Sequence, residues 1–361
     1  MNLKTIAKLA GVSTVTVSNV INGKYHKASK ETVERIQKIV EETHYQPSAT
    51  ARSLIMKRSR IIGVVIPNLH PDDGFSVSPY NAQILAYLDR FIRNKGYYMM
   101  LHCVLRSADV LPSLTTWNVD GVFLLGVAPE DAAALSQRLS IPTVFVDTYT
   151  DEPSLAAIRI DDRKGGYLAG KYLLDQGHRR IAFVSPSTQY PGVMQERYLG
   201  FCQAFQERGL SFHQEDKFTV PETMYEQGMK IGETVASRPE ITAIAAMADI
   251  LALGAMEGLR LGGRRVPEDV SVTGFDDLPE CRYAYPKLTS ISQHLEEKVR
   301  CAGEYLFSML EEQTEASGSR IVDVELIPRE SVAKRAPELD SLSQSPNPET
   351  EKAAQEKSSQ K

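Results

Sequence analysis

Between Ser13 and Asn22 the chain sets out side chains of a type and spacing suited to the major groove of duplex DNA. Thr14, Val15 and Asn19 fall on one helical face at i, i+1 and i+5. An Asn amide can pair both donor and acceptor with adenine, about 1–3 kcal/mol of discrimination, while Val and the Thr methyl suit a thymine methyl. Ser13, Thr16, Ser18 and Asn22, with Asn2 upstream, supply neutral donors for phosphate oxygens, contacts that position a protein without reading sequence. Val17, Val20 and Ile21 have the spacing of a buried stripe. The same pattern describes a capped amphipathic helix packed inside an all-helical domain, and this stretch alone leaves both readings open.

Other chemistry is sparse. There is no H-E-x-x-H, phosphate-binding loop or G-x-S-x-G in the chain. Asp161-Asp162 and Asp276-Asp277 are adjacent pairs whose side chains diverge in extended backbone, unlike the facing acids of a glycosidase. His70, Asp72 and Asp73 are the nearest approach to a metal cluster, and loop acids this close are usually solvated. Gly165, Gly166 and Gly170 lack G-x-G-x-x-G spacing and fall inside an expected helix, which argues against a dinucleotide site. The expectation is a protein that is not an enzyme, with no cofactor and no metal.

The elements that must position these residues begin with three helices. Residues 3–10 carry Leu3, Ile6, Ala7 and Ala10 on one side, and Gly11-Val12-Ser13 breaks the pattern. Ser13 caps a second helix over 14–22, stopped by Gly23, and Ser29 caps a third over 30–44. A tight turn between the first two makes a helix-turn-helix. After Pro47, residues 48–54 have material for one or two helical turns that order only against a partner. From Ile61 strands and helices alternate: strands at 61–66, 97–103, 119–125, 143–146, 181–185, 217–220, 242–247 and 270–274. Helices fall at 80–95, 132–139, 163–176, 195–208, 224–237 and 250–262. Two such series predict an α/β fold of two doubly wound parallel-sheet lobes behind an all-α helix-turn-helix domain. Ligands are then expected in the crevice at strand carboxyl ends.

Charge divides the same way. Residues 1–60 hold eleven Lys/Arg against four Glu, a net +7, which leaves 30 basic and 42 acidic residues, −12, for the remainder. A basic end on an acidic protein points to a polyanion partner there, or to solvated helix faces. The whole chain, 361 residues with 42% hydrophobic and 24% charged, has globular composition and is long enough for two or three domains. Cys103, Cys202, Cys281 and Cys301 are scattered without a C-x-x-C pair, which fits a reducing compartment. No apolar run approaches the roughly 18 residues of a membrane span, and Met1 to Thr5 lacks a signal core, so a cytoplasmic protein is expected. Pro337 to Lys361 has no aromatic residue and is dominated by Ser, Gln, Glu, Lys and Pro, the composition of a disordered tail.

Four separated stretches carry a family resemblance. Ile6 to Gly23, Tyr45 to Leu54, Gly177-His178 with Arg180 to Phe183, and Val266 to Asp277 together resemble the lactose-repressor (LacI/GalR type) family of bacterial transcription regulators, over about residues 2–335. The resemblance implies a periplasmic-binding-protein-like pair of lobes and a leucine, here Leu54, that wedges into the minor groove with Ala51 and Arg52 beside it. It implies operator DNA as partner, a homodimer matching a near-palindrome, and a small carbohydrate effector in the inter-lobe cleft that tunes operator affinity, with repression the expected sense. Effector contacts implied are Tyr80, Asp147, Arg197 and Asp276. The implied division is 1–46 for DNA binding, 47–59 for a hinge helix, 60–335 for two lobes and 336–361 for the tail. Within 60–335 the first lobe takes about 60–160 with 292–320, the second about 161–291 with 321–335. Two departures stand out: Asn19 where Arg is frequent, and Ala248 before Asp249 where the family usually has Asn. A solute-binding receptor for sugars shares the two-lobed fold, but the basic amino-terminal 60 residues oppose it.

Overall fold

The computed structural model describes residues 2–45, 58–67, 78–104, 109–150, 152–189, 191–312 and 317–335. Most of the expected hinge, with Ala51, Arg52 and Leu54, lies outside these residues, as do His70, Asp72, Asp73 and the 336–361 tail.

The amino-terminal segment is three helices, α1 (Leu3–Ala10), α2 (Thr14–Ile21) and α3 (Lys30–Glu42). Each is capped at its start by a side-chain oxygen: Asn2, Ser13 and Ser29 accept from the amides of Thr5, Thr16 and Thr32. Gly11 turns the chain from α1 to α2 at φ 67°, a left-handed angle that an L side chain resists. Ile6, Ala7, Ala10, Val17, Val20 and Ile36 close a small core, with Ile21, Val33 and Val40 packed on it. The Arg35 guanidinium ties α3 to the last turn of α1 through the carbonyl of Ala10 (3.1 Å).

The first α/β unit contains β1 (Ile61–Pro67), α4 (Pro79–Asn94) from Ile84 onward, β2 (Tyr98–Val104), α5 (Val110–Trp117), β3 (Gly121–Leu125), α6 (Pro129–Arg138), β4 (Thr143–Val146) and β5 (Ala157–Ile160). The chain returns to it through α11 (Leu295–Glu312) and β11 (Ser319–Val322). Strand order is β11-β5-β4-β3-β1-β2, and the pairs from β5 through to β2 are parallel. β3 is buried along its whole length, as a strand covered on both faces must be.

The second unit contains α7 (Asp162–Asp175), β6 (Ile181–Ser185), α8 (Val193–Gln206), β7 (Lys217–Thr219), α9 (Tyr225–Ala236), β8 (Ala243–Ala246), α10 (Asp249–Leu261), β9 (Ser271–Asp276), β10 (Thr289–Ser292) and β12 (Glu325–Ile327). Its order is β12-β10-β9-β8-β6-β7, parallel except for the antiparallel edge pair β10–β12. Both sheets reverse strand order beside their first strand, the switch point at which such sheets bind ligands.

The expected alternation is present, and six elements escaped it: α5, β5, β10, α11, β11 and β12. β10 reads Thr-Ser-Ile-Ser and has no strand signature in sequence. It is buried because its hydroxyls have fixed partners: Thr289 Oγ1 accepts from the amide of Arg329, and Ser290 donates to Asp249. Gly165, Gly166 and Gly170 have a packing role. A Cβ on Gly166 would overlap the Arg197 carbonyl, and one on Gly165 would lie 2.6 Å from the Phe275 ring.

Candidate functional site

Helix α2 separates its side chains by task. Val17 is completely buried and Val20 nearly so, whereas Val15 is 66% exposed, an outward apolar side chain that the helical core does not use. Thr14 and Asn19 are half-buried at the surface rather than enclosed. Ser13 is exposed and its hydroxyl lies 3.0 Å from that of Thr16. Asn22 donates to the carbonyl of Ser18 (2.8 Å) and to its hydroxyl (3.3 Å), so these two close the carboxyl end of α2 together. Asn2 spends its oxygen on Thr5 (3.0 Å), leaving the amide end as donor. Lys4, Lys8, Lys24, Lys27 and Lys30 are all exposed on the same three-helix segment. Exposed cations around an outward helix face form the electrostatic footprint of a polyanion-binding surface.

In the second unit the strand ends carry a buried polar cluster. Arg197, from α8, is 4% exposed. Its Nε donates to Asp162 at the start of α7 (2.8 Å), its Nη1 donates to the carbonyl of Met247 after β8 (2.7 Å), and its guanidinium stacks 3.5 Å from the Phe275 ring centroid. Three elements and an aromatic face therefore fix one planar cation. Asp276 ends β9 at φ 121° and accepts from Gln293 (2.5 Å). Asp277 turns the other way, to Arg329.

Sequence reasoning passed over Asp249 as a site residue. It opens α10, is wholly buried, and accepts from Ser290 Oγ (2.6 Å) and from the amide of Leu278 (2.8 Å). Burial, aided by the charge of Asp276, raises its carboxyl to about 8. Burial therefore favours the protonated form of Asp249. The sequence signal was its place directly after a buried strand, at the start of a helix.

In the first unit Asp147 follows β4 in the left-handed region, φ 57°, and pairs with Lys298 of α11 (2.5 Å). Tyr80, in the first turn of α4 and grouped with the second unit, is half-buried. Among the described residues no group of three or more His, Cys, Asp or Glu is arranged to hold a metal, and no helix is long and apolar enough to cross a membrane.

Comparison with known proteins places this geometry. Residues 2–48 match the model for bacterial regulatory proteins of the lacI family, and 170–332 match the periplasmic binding protein-like domain. The chain is 32% identical over 342 residues to the HTH-type transcriptional repressor PurR of Pasteurella multocida (strain Pm70), covering 92% of this chain and 99% of that one. It is 30% identical over 339 residues to the ribose operon repressor of Haemophilus influenzae (strain ATCC 51907 / DSM 11121 / KW20 / Rd), covering 91% and 98%. Among solved structures it is similar to a transcriptional regulator CelR–cellobiose complex (TM-score 0.68, 28% identity, 92% and 99% covered). The lac repressor dimer bound to operator and the anti-inducer ONPF shares the fold (TM-score 0.79, 23% identity, 92% and 99% covered).

Proposed function

Because the chain belongs to the lacI family of bacterial regulatory proteins, we propose that α2 is its recognition helix and that its lobes sense a carbohydrate. The protein is a DNA-binding transcription regulator, not an enzyme; its relatives are repressors. Thr14, Val15 and Asn19 read base edges, while Asn2, Ser13, Thr16, Ser18 and Asn22 hold phosphates. Leu54 wedges into the minor groove flanked by Ala51 and Arg52. Residues 1–46 bind DNA, 47–59 form the hinge, and 60–335 form the lobes. The first lobe takes about 60–160 and 292–320, the second 161–291 and 321–335, with 336–361 as the tail.

The observation that carries the DNA reading is Val15: a large apolar side chain two-thirds exposed on a helix that buries Val17 and Val20 on its other side. One such segment reads one half-site, so the acting species is a cytoplasmic homodimer on a near-palindrome. The effector reading rests on carboxylates at strand carboxyl ends that can accept from adjacent hydroxyls, Asp147 in the first unit and Asp276 in the second, together with Arg197 and Tyr80. The similarity to a cellobiose-bound regulator supports the carbohydrate class. Effector and operator then alter each other's affinity by one common factor.

A gel-shift titration of the full chain on DNA upstream of its own gene, at two salt concentrations, tests this. Asn19→Ala is expected to weaken the specific complex by about 1–3 kcal/mol and leave non-specific binding intact. Deleting residues 1–58 is expected to abolish both, and undiminished binding by that truncation would refute the domain assignment.

A further inference from the structure

Lys298 is a charge in an apolar place. It lies in the first turn of α11 on the stripe formed by Leu295, Val299, Ala302 and Leu306, and its side chain is 0% exposed. A hydrophobic residue would satisfy the packing there. An ammonium is retained in such a position only with a partner, since burial strips its hydration. That partner is Asp147, whose Oδ1 lies 2.5 Å from Lys298 Nζ.

Asp147 is not itself sealed. Its side chain remains 16% exposed, directly after a central parallel strand and in a left-handed backbone conformation that re-aims the chain. The carboxylate thus spans from a buried cation to the surface. The next residue, Thr148, is 1% exposed, and its hydroxyl finds no hydrogen-bond partner among the described residues. Buried hydroxyls are rarely left so, and an orphan at a strand carboxyl end points to a ligand group.

We infer that Asp147, Thr148 and Lys298 form a first-unit subsite for a neutral hydroxylated ligand, in which Lys298 is the positioning residue that holds the Asp147 carboxylate and cancels its charge. This rests on the effector reading given above and narrows it. An anion approaching the subsite meets carboxylate oxygen first, with the ammonium sealed behind it. A cation finds the carboxylate already neutralised. A hydroxyl donates to Asp147, and its neighbour on a vicinal diol engages Thr148, so both polar groups are satisfied at once.

The test uses the full-length protein in two arms. Calorimetric titration with cellobiose, sucrose, ribose, glucose and glucose 6-phosphate is run on the parent, K298M, T148V and K298M/D147N. Urea unfolding is run on the parent, K298M, D147N and K298M/D147N. A neutral saccharide is expected to bind the parent, with glucose 6-phosphate no tighter than glucose; K298M should weaken that saccharide at least tenfold and T148V several-fold. K298M and D147N should each lower the unfolding midpoint, and the double variant should recover stability without recovering binding, which separates positioning from folding. Saccharide affinity unchanged in K298M, or preferential binding of glucose 6-phosphate, would overturn the subsite. If no neutral probe binds the parent, the carbohydrate reading fails, and the unfolding cycle alone decides on Lys298: strictly additive effects of K298M and D147N would overturn its role.

Discussion

The backbone carbonyl of Arg197 occupies the space in which Gly166 would carry a Cβ. Helices α7 and α8 meet there backbone to backbone, and the contact sets how far the Arg197 guanidinium reaches toward Asp162, Met247 and Phe275. Gly200 makes the reciprocal approach to the carbonyl of Arg163. Gly166→Ala is expected to force the helices apart, costing about 1–3 kcal/mol of stability by overpacking. Urea unfolding reads that loss, and effector titration should show weakened binding although no polar group is removed.

The Arg197–Asp162 pair is enclosed on both sides, at 5% and 1% side-chain exposure. Removing one member leaves a buried charge without its partner. Arg197→Met or Asp162→Asn alone is therefore expected to cost about 3–5 kcal/mol, while Arg197→Met with Asp162→Leu recovers much of it. Equal stability of the single and double variants in denaturant titration would contradict this.

Stability should fall with rising pH through the window of Asp249. Its folded carboxyl is raised to about 8 by burial, so between the ordinary carboxyl range and about pH 8 the folded state holds a proton that the unfolded chain has released. Its contribution is complete below the unfolded value and is lost as pH climbs through the folded one. Unfolding midpoints for Asp249→Asn from pH 4 to 9 should lose this slope.

His178 acts on the acid side. It is 3% exposed, with Nδ1 2.9 Å from Thr242 Oγ1, and burial lowers its ring to about 4. Its folded value lies below the unfolded one, so its contribution is present above about pH 6.5 and is lost as pH falls toward 4. His178→Gln should flatten that limb in the same measurement.

Within the amino-terminal segment, Ser13→Ala removes the hydroxyl that accepts from the Thr16 amide and is expected to cost about 1 kcal/mol. Val15→Ser removes an exposed side chain and should leave the midpoint nearly unchanged. Circular-dichroism melts alongside the gel shift then separate two effects: Ser13→Ala lowers stability, and Val15→Ser lowers specific DNA affinity alone.

The three short helices were readable because their causes are local: cap residues, a turn glycine and an apolar repeat lie within a few positions of one another. The alternation of most strands and helices was readable for the same reason, since runs such as Ile61–Pro67 and Ala243–Ala246 carry their burial in their own composition. β10 and α11 were not. β10 is polar by sequence and buried only because Asp249 and Arg329, 41 and 40 residues away, pair with its hydroxyls. The strand-end residues divide likewise. Asp147, Arg197 and Asp276 were named from resemblance, but composition holds no sign that Asp147 pairs with Lys298 or Arg197 with Asp162. Those pairs span long sequence separations, and whether a charge is buried, paired or protonated depends on what the fold brings against it rather than on its neighbours in the chain.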